Sequence, residues 1–252
     1  TRAMIPKALQ DLSQDFVQIS EWCAANSLKL NPNKTEYLAV YSPSLPGIPN
    51  LALTLNGTTV EPQDKMRILG LTYDKHLSFL QHASEKNCQI TGFLRMLSAR
   101  KDAFPRATKK LLVKRFVGSV ILYCISSVSI STTALKQLQY SQNFGVRVVF
   151  GLQKSDHVSE YRMSLSRLPV RSLATYRVGQ IVHKALHNQS PEYLALDLRH
   201  TVPPNVFNPR NYTLRQPISQ NKYGANMFKN RAIRLFNRTD RWIWAEQYAK
   251  FK

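Results

Sequence analysis

An excess of twenty positive charges is what most limits the shapes this 252-residue chain can adopt: 35 lysines and arginines stand against 15 aspartates and glutamates. Like charges repel in any compact fold, so such a chain is easiest to understand if a polyanion neutralises it. The charge is also gathered. Nine basic residues and one acid, Asp102, lie between Lys86 and Arg115; eleven basic residues and two acids, Asp240 and Glu246, lie between Arg199 and Lys252. Nucleic acid is therefore the leading partner on charge, ahead of an acidic protein or an anionic membrane surface. Hydrophobic residues make up 43% of the chain, enough for an ordinary core. No apolar run approaches the roughly 20 residues of a membrane span. The longest, Phe116 to Val128, is broken by Ser119, Ser126 and Ser127 and reads as a buried helix. No membrane partner is expected.

The chain opens on Thr1-Arg2-Ala3, without an initiator Met or an apolar leader, and reads as an internal cut in a longer protein. Cys23, Cys88 and Cys124 stand far apart, with no paired spacing for zinc. They read as reduced, buried thiols of an intracellular protein, in the cytoplasm or nucleus.

Leu9, Leu12, Phe16, Ile19 and Cys23 step by 3 and 4, which puts one apolar stripe on a helix. Asn31-Pro32-Asn33 is a turn, and Thr35 to Tyr41 alternates as a strand does. Leu51–Leu55, Asn56-Gly57 and Thr58–Val60 predict a hairpin, because Asn-Gly supplies the positive φ angles of a type I′ turn. Met66–Tyr73 reads as a third strand. The pattern then turns helical, with helices expected over 79–98, 106–127, 133–150, 157–166, 170–187 and 191–195. Thr201 to Ser219, with Pro203, Pro204, Pro209 and Pro217, is a linker or extended arm, and a last helix is expected over 223–237.

Metal-dependent polymerases need carboxylates that hold two Mg²⁺ ions about 4 Å apart. The acids here are scattered, with no Asp-Asp, Asp-x-Asp or Asp-x-Glu. His183 and His187 are four apart, but with no third ligand beside them they read as partly solvated helix surface. No nucleophile or phosphate-loop motif is present.

One segment is more specific. Ile19-Ser-Glu-Trp-Cys-Ala-Ala-Asn-Ser-Leu-Lys-Leu-Asn-Pro-Asn-Lys-Thr-Glu36 gives a helix, a turn and a strand; Leu55-Asn-Gly57, Arg67-Ile-Leu-Gly-Leu-Thr-Tyr-Asp74 and Leu77-Ser-Phe79 come next. Their order and spacing resemble two consecutive conserved blocks of non-LTR (LINE-type) retrotransposon reverse transcriptases. Ile121-Leu-Tyr-Cys124, Leu138-Gln139, Gly151-Leu-Gln-Lys-Ser-Asp-His-Val158, Arg167-Leu-Pro169, Tyr176-Arg177 and Pro191-Glu-Tyr-Leu194 resemble the thumb-side helices of Jockey-like elements, and Tyr223-Gly224 with Arg234-Leu-Phe-Asn237 resembles their last recurring piece. The resemblance implies the C-terminal part of an RNA-directed DNA polymerase, starting after the metal-binding aspartates. It implies RNA or DNA as template–primer partner, Mg²⁺ for the full-length parent enzyme, and no cofactor held by this chain alone. The chain by itself is expected to be inactive unless a missing N-terminal polymerase half is supplied.

In that family the lysine matched by Lys34 sits near the nucleotide phosphates, where an ammonium can stabilise developing charge. The alternative is a surface lysine paired with Glu36. Leu69 and Gly70 would shape a primer-side hairpin, or form a simple bulge. Arg106, Lys110 and Lys114 recur every four residues with Lys109 beside them, suiting a phosphate backbone, or else a solvated basic face. Leu112, Phe116, Val120 and Tyr123 would be the buried side of that helix. Arg231, Arg234, Arg238 and Arg241 step by 3, 4 and 3, and would line one face if the last helix reaches that far. Trp242, Trp244 and Tyr248 would offer stacking platforms or anchor the tail.

The expected fold is α+β and mostly helical. Residues 1–77 would complete the edge of a polymerase palm, 78–200 would form a thumb-like helical body, and 201–252 a basic C-terminal extension. The competing reading is a helical protein-interaction module or a domesticated, non-catalytic remnant.

Overall fold

The computed structural model describes residues 5–31, 34–42, 52–55, 58–123, 125–126, 131–165, 167–188, 190–199, 214–219 and 222–240. The fold is α+β and mostly helical, with two small antiparallel hairpins. The chain divides into two compact units, Thr1–Gln81 and His82–Lys252.

In the first unit, α1 spans Ile5–Ala25. Its expected apolar stripe is only partly inward: Cys23 is buried, but Leu12, Ile19 and Trp22 are exposed, Trp22 at 61%. Ser13 and Ser20, turned partly inward, bond back to Leu9 and Phe16 carbonyls at 2.9 and 2.8 Å. β1 (Leu53–Leu55) pairs with β2 (Thr58–Val60) in the register that the Asn-Gly signal demands, Leu55 opposite Thr58. Asn56 and Gly57 themselves lie outside the described residues.

Two strand expectations fail here. The stretch 35–41 is irregular and makes one isolated parallel bridge, Tyr37 to Pro62. A strand needs a ladder of partners, and a proline, lacking an N–H, cannot extend one. Met66–Tyr73 is not one strand but a hairpin: β3 (Lys65–Ile68) folds back on β4 (Leu71–Asp74), with Lys65 opposite Asp74 and Ile68 opposite Leu71. The two-residue turn is Leu69-Gly70, at φ of 48° and 80°. Positive φ at both central residues is the signature of a type I′ turn. Leucine is a poor choice for it, because its Cβ crowds the carbonyl.

The second unit is helical. α2 spans Leu80–Ala99. The expected 106–127 helix is broken by a change of winding. α3 (Arg106–Leu112) runs into a π turn, Val113–Val117, then α4 (Gly118–Leu122), and Tyr123 is extended at ψ 117°. α5 (Thr132–Phe150) is capped at both ends: the Ser131 hydroxyl accepts from Ala134 N–H at 3.2 Å, and Gly151 takes the left-handed position at φ 69°. α6 (Ser159–Ser164), α7 (Val170–Asn188), α8 (Glu192–Arg199), α9 (Lys222–Asn226) and α10 (Phe228–Arg238) complete the unit. The expected single last helix is thus two, parted at Met227, whose φ and ψ of −56° and 154° are not helical.

Among the described residues, two hydrophobic clusters hold this unit, and α7 serves both. Ile90, Leu94 and Leu97 of α2 meet Val113, Val117 and Ile121, Leu138, Val146 and Val149 of α5, and Val170 at the start of α7. Further along α7, Val178, Val182 and Ala185 meet Leu198 of α8, Leu214, and Ala232, Ile233 and Phe236 of α10. Each fully buried aliphatic side chain contributes about 1.5–3 kcal/mol of hydrophobic stabilisation. Asn237 fixes Leu214 in place by exchanging two hydrogen bonds of 2.9 Å with its backbone. Among the described residues, no helix is long and apolar enough to cross a membrane.

Candidate functional site

The π turn decides which way the basic helix faces. The most deeply buried side chains are Val113, Val117 and Ile121; Leu112, Phe116 and Val120 of the expected side are partly buried and pack against the same cluster, and Tyr123 is exposed. An i→i+5 turn widens the helix and rotates the turns beyond it. Gly118 N–H bonds to Val113 O rather than only to the preceding turn. Lys110, Lys114 and Arg115 are left on the solvent side, with Lys109 half-exposed.

The structure separates the basic residues of this helix by what they touch. Arg106 lies over the Phe150 ring, 4.2 Å from its centroid, a cation–π contact. Lys110 Nζ donates to Ser164 O at 3.1 Å. The main-chain oxygen of Lys114 accepts from the guanidinium of Arg167. Arg167 sits against Gly118, where any Cβ would overlap it. Burial pushes that guanidinium below its ordinary value. Arg147 is held in the same manner, by the carbonyls of Gln153 and Asp156, each at 3.1 Å. The ion pairs among the described residues are elsewhere: Lys75–Asp64 at 2.7 Å and Lys229–Asp197 at 2.5 Å. Lys110, Arg147 and Arg167 are thus fixed on neutral oxygens, which orient them without cancelling their charge.

On α10 the arginines part company. Arg231 is turned inward and donates to Ser126 O. Burial first, and then the nearby Arg234 charge, push its guanidinium down. It braces the fold rather than lining an open face. Arg234 is half-exposed and Arg238 exposed. The helix ends at Arg238, so it does not carry Arg241, which lies outside the described residues with Trp242, Trp244 and Tyr248.

Lys34 is exposed in a turn closed by its own N–H on Asn31 O at 3.1 Å, and it makes no ion pair with Glu36. Leu69, 87% exposed, and Gly70 form the tip of the β3–β4 hairpin, not a bulge. His183 is entirely buried, its ring stacked on His187 at 4.2 Å, so it is a core residue rather than helix surface. Cys88 is exposed, against the expectation of a buried thiol; Cys124 lies outside the described residues.

Among the described residues, no group of three or more His, Cys, Asp or Glu side chains could hold an ion. Asp64 is committed to Lys75, whose hydrogen bond and charge lower its pKa. Asp74 is committed to its own loop, accepting from the backbone of His76, Ser78 and Phe79 and from the Ser78 hydroxyl at 2.9–3.1 Å. These residues do not fit a two-magnesium site.

Arg167 and the π turn are what sequence periodicity missed. The available signal was Gly118, an isolated glycine inside an apolar helical run, which marks a close approach or a break.

A stretch of 147 residues, 57% of this chain, is 26% identical to a probable RNA-directed DNA polymerase from transposon BS of Drosophila melanogaster. That stretch amounts to 16% of the fly protein's length. No protein-family model matches the chain, and no solved structure matches it at a significant level.

Proposed function

Because this chain carries a region related to a transposon-borne RNA-directed DNA polymerase, we propose that it grips the template–primer nucleic acid of a non-LTR reverse transcriptase. The observation that carries this reading is the solvent face of α3 and the π turn. Lys109, Lys110, Lys114 and Arg115 gather there, and none is in an ion pair among the described residues. Such a face gains when phosphates relieve its self-repulsion and release their counterions. Arg106 flanks it, and Arg234 and Arg238 of α10 would add contacts of the same kind. The second unit would act as a thumb-like body, and the first as a palm edge. There Lys34 would face nucleotide phosphates, and the Leu69-Gly70 tip would approach the primer strand. Magnesium and deoxynucleotides would be handled by carboxylates that this sequence does not contain, so no chemical step is assigned to its residues. The role places the protein with RNA and DNA, in the cytoplasm or nucleus.

The test is charge reversal. Replacing Lys109, Lys110 and Lys114 with Glu should weaken binding to an RNA–DNA hybrid by at least about tenfold at low salt, with little change in thermal melting. Unchanged affinity would place the groove elsewhere. A second reading, docking of a protein partner, is favoured by one observation: Leu12, Ile19 and Trp22 stand exposed on α1. It predicts binding that barely responds to salt.

A further inference from the structure

We propose that Lys110, Lys114 and Arg167 form one preorganised site for a phosphodiester of the nucleic-acid backbone, with Arg167 reaching it from a different part of the chain. The inference rests on the nucleic-acid reading above and adds to it a site and a residue. It starts from how the cations are held. Lys110 on Ser164 O and Arg167 on Lys114 O stitch the end of α6 and the residue before Leu168 along the same turns of helix. Both acceptors are main-chain carbonyls more than fifty residues away in sequence. A carboxylate in either place would have neutralised the cation. A carbonyl fixes it and leaves its charge whole.

The π turn supplies the second acceptor. Drawing Gly118 N–H to Val113 O frees Lys114 O from its ordinary helical donor, and the oxygen turns to Arg167. Gly118 provides the space, since a side chain there would occupy the guanidinium's position. A guanidinium has five N–H donors, more than one carbonyl can occupy. None of the three is in an ion pair among the described residues, so each keeps its positive charge. A phosphodiester carries the opposite sign, and its two unesterified oxygens suit a guanidinium fork flanked by ammonium groups. Holding Lys110 and Arg167 before the ligand arrives removes part of the ordering cost of binding.

Binding of an RNA–DNA hybrid is measured from 50 to 200 mM salt for the unmodified chain, Arg167→Met, Arg167→Lys and the Lys109/Lys110/Lys114→Glu triple variant. Arg167→Met should lower affinity several-fold and make the log–log salt slope shallower by about one. Arg167→Lys, which keeps the charge, should keep the slope. A purely structural Arg167 would lower the melting temperature and leave the slope alone, which overturns the proposal. If the triple variant binds as the unmodified chain does, the nucleic-acid reading has failed. If it loses binding while Arg167→Met keeps the full slope, only the present inference has failed. Should Arg167→Met not fold, dicarbonyl modification of the unmodified chain decides. The hybrid should protect Arg167, and inorganic phosphate at the same phosphate concentration should not. Equal protection by both assigns the site to free phosphate, and no protection by either removes the site; each result overturns the proposal.

Discussion

Asp74 shows how one side chain can hold a difficult piece of backbone. The loop after it contains two non-glycine residues in the left-handed region, Leu77 at φ 48° and Phe79 at 54°. Each such residue costs roughly 1–2 kcal/mol. The Asp74 carboxylate offsets this by accepting from three backbone N–H groups and the Ser78 hydroxyl, while Ser78 Oγ accepts from Leu80 N–H at 3.3 Å as α2 begins. Partial burial of the carboxylate raises its pKa, but those hydrogen bonds outweigh burial and the net direction is down. A carboxylate with a depressed folded pKa contributes stability that is present above its ordinary value and lost as pH falls through the folded one. Asp74→Ala should therefore cost about 1–2 kcal/mol in urea unfolding at pH 7, and the cost should shrink at pH 3 and below. An equal cost at both pH values would mean that the charge is not what holds the loop. None of this is legible in the sequence, where Asp74 only closes a family-like stretch, because a loop's partners are its own backbone and leave no periodic trace.

At the scale of elements, periodic features were readable and local departures from them were not. The Asn56-Gly57 hairpin, α2, α5 and α7 fall within a residue or two of expectation, because turn chemistry and the 3.6-residue repeat are written in the side chains. The β3–β4 hairpin was missed because Leu69 hides its turn. The π turn was missed because Val113 and Val117 suit an α-helix equally well, and nothing in their spacing marks the wider winding. Of the candidate site, the basic face of α3 was legible from spacing, but Arg167, brought in from 53 residues away, was not. The hairpin offers a direct check. Leu69→Asn puts a residue that tolerates positive φ into the turn and should stabilise the first unit by about 0.5–1 kcal/mol. If the tip also approaches a primer strand, the same change should weaken hybrid binding. Stability and affinity would then move in opposite directions, and a loss of stability would refute the turn assignment.

For the molecule as a whole, the governing fact is that a net charge of +20 is not cancelled internally. Two ion pairs are found among the described residues, and Lys110, Arg147, Arg167 and Arg231 are each held on a main-chain carbonyl instead. The second unit is held together by its two apolar clusters rather than by pairing of charges, and on the proposed reading the positive charge serves a polyanion. The most direct measurement is the affinity of the whole chain for an RNA–DNA hybrid as salt is raised from 50 to 200 mM. With three phosphate contacts or more, affinity should fall at least about 40-fold across that range, along a straight log–log line. Affinity that stays constant over the same range would contradict the account.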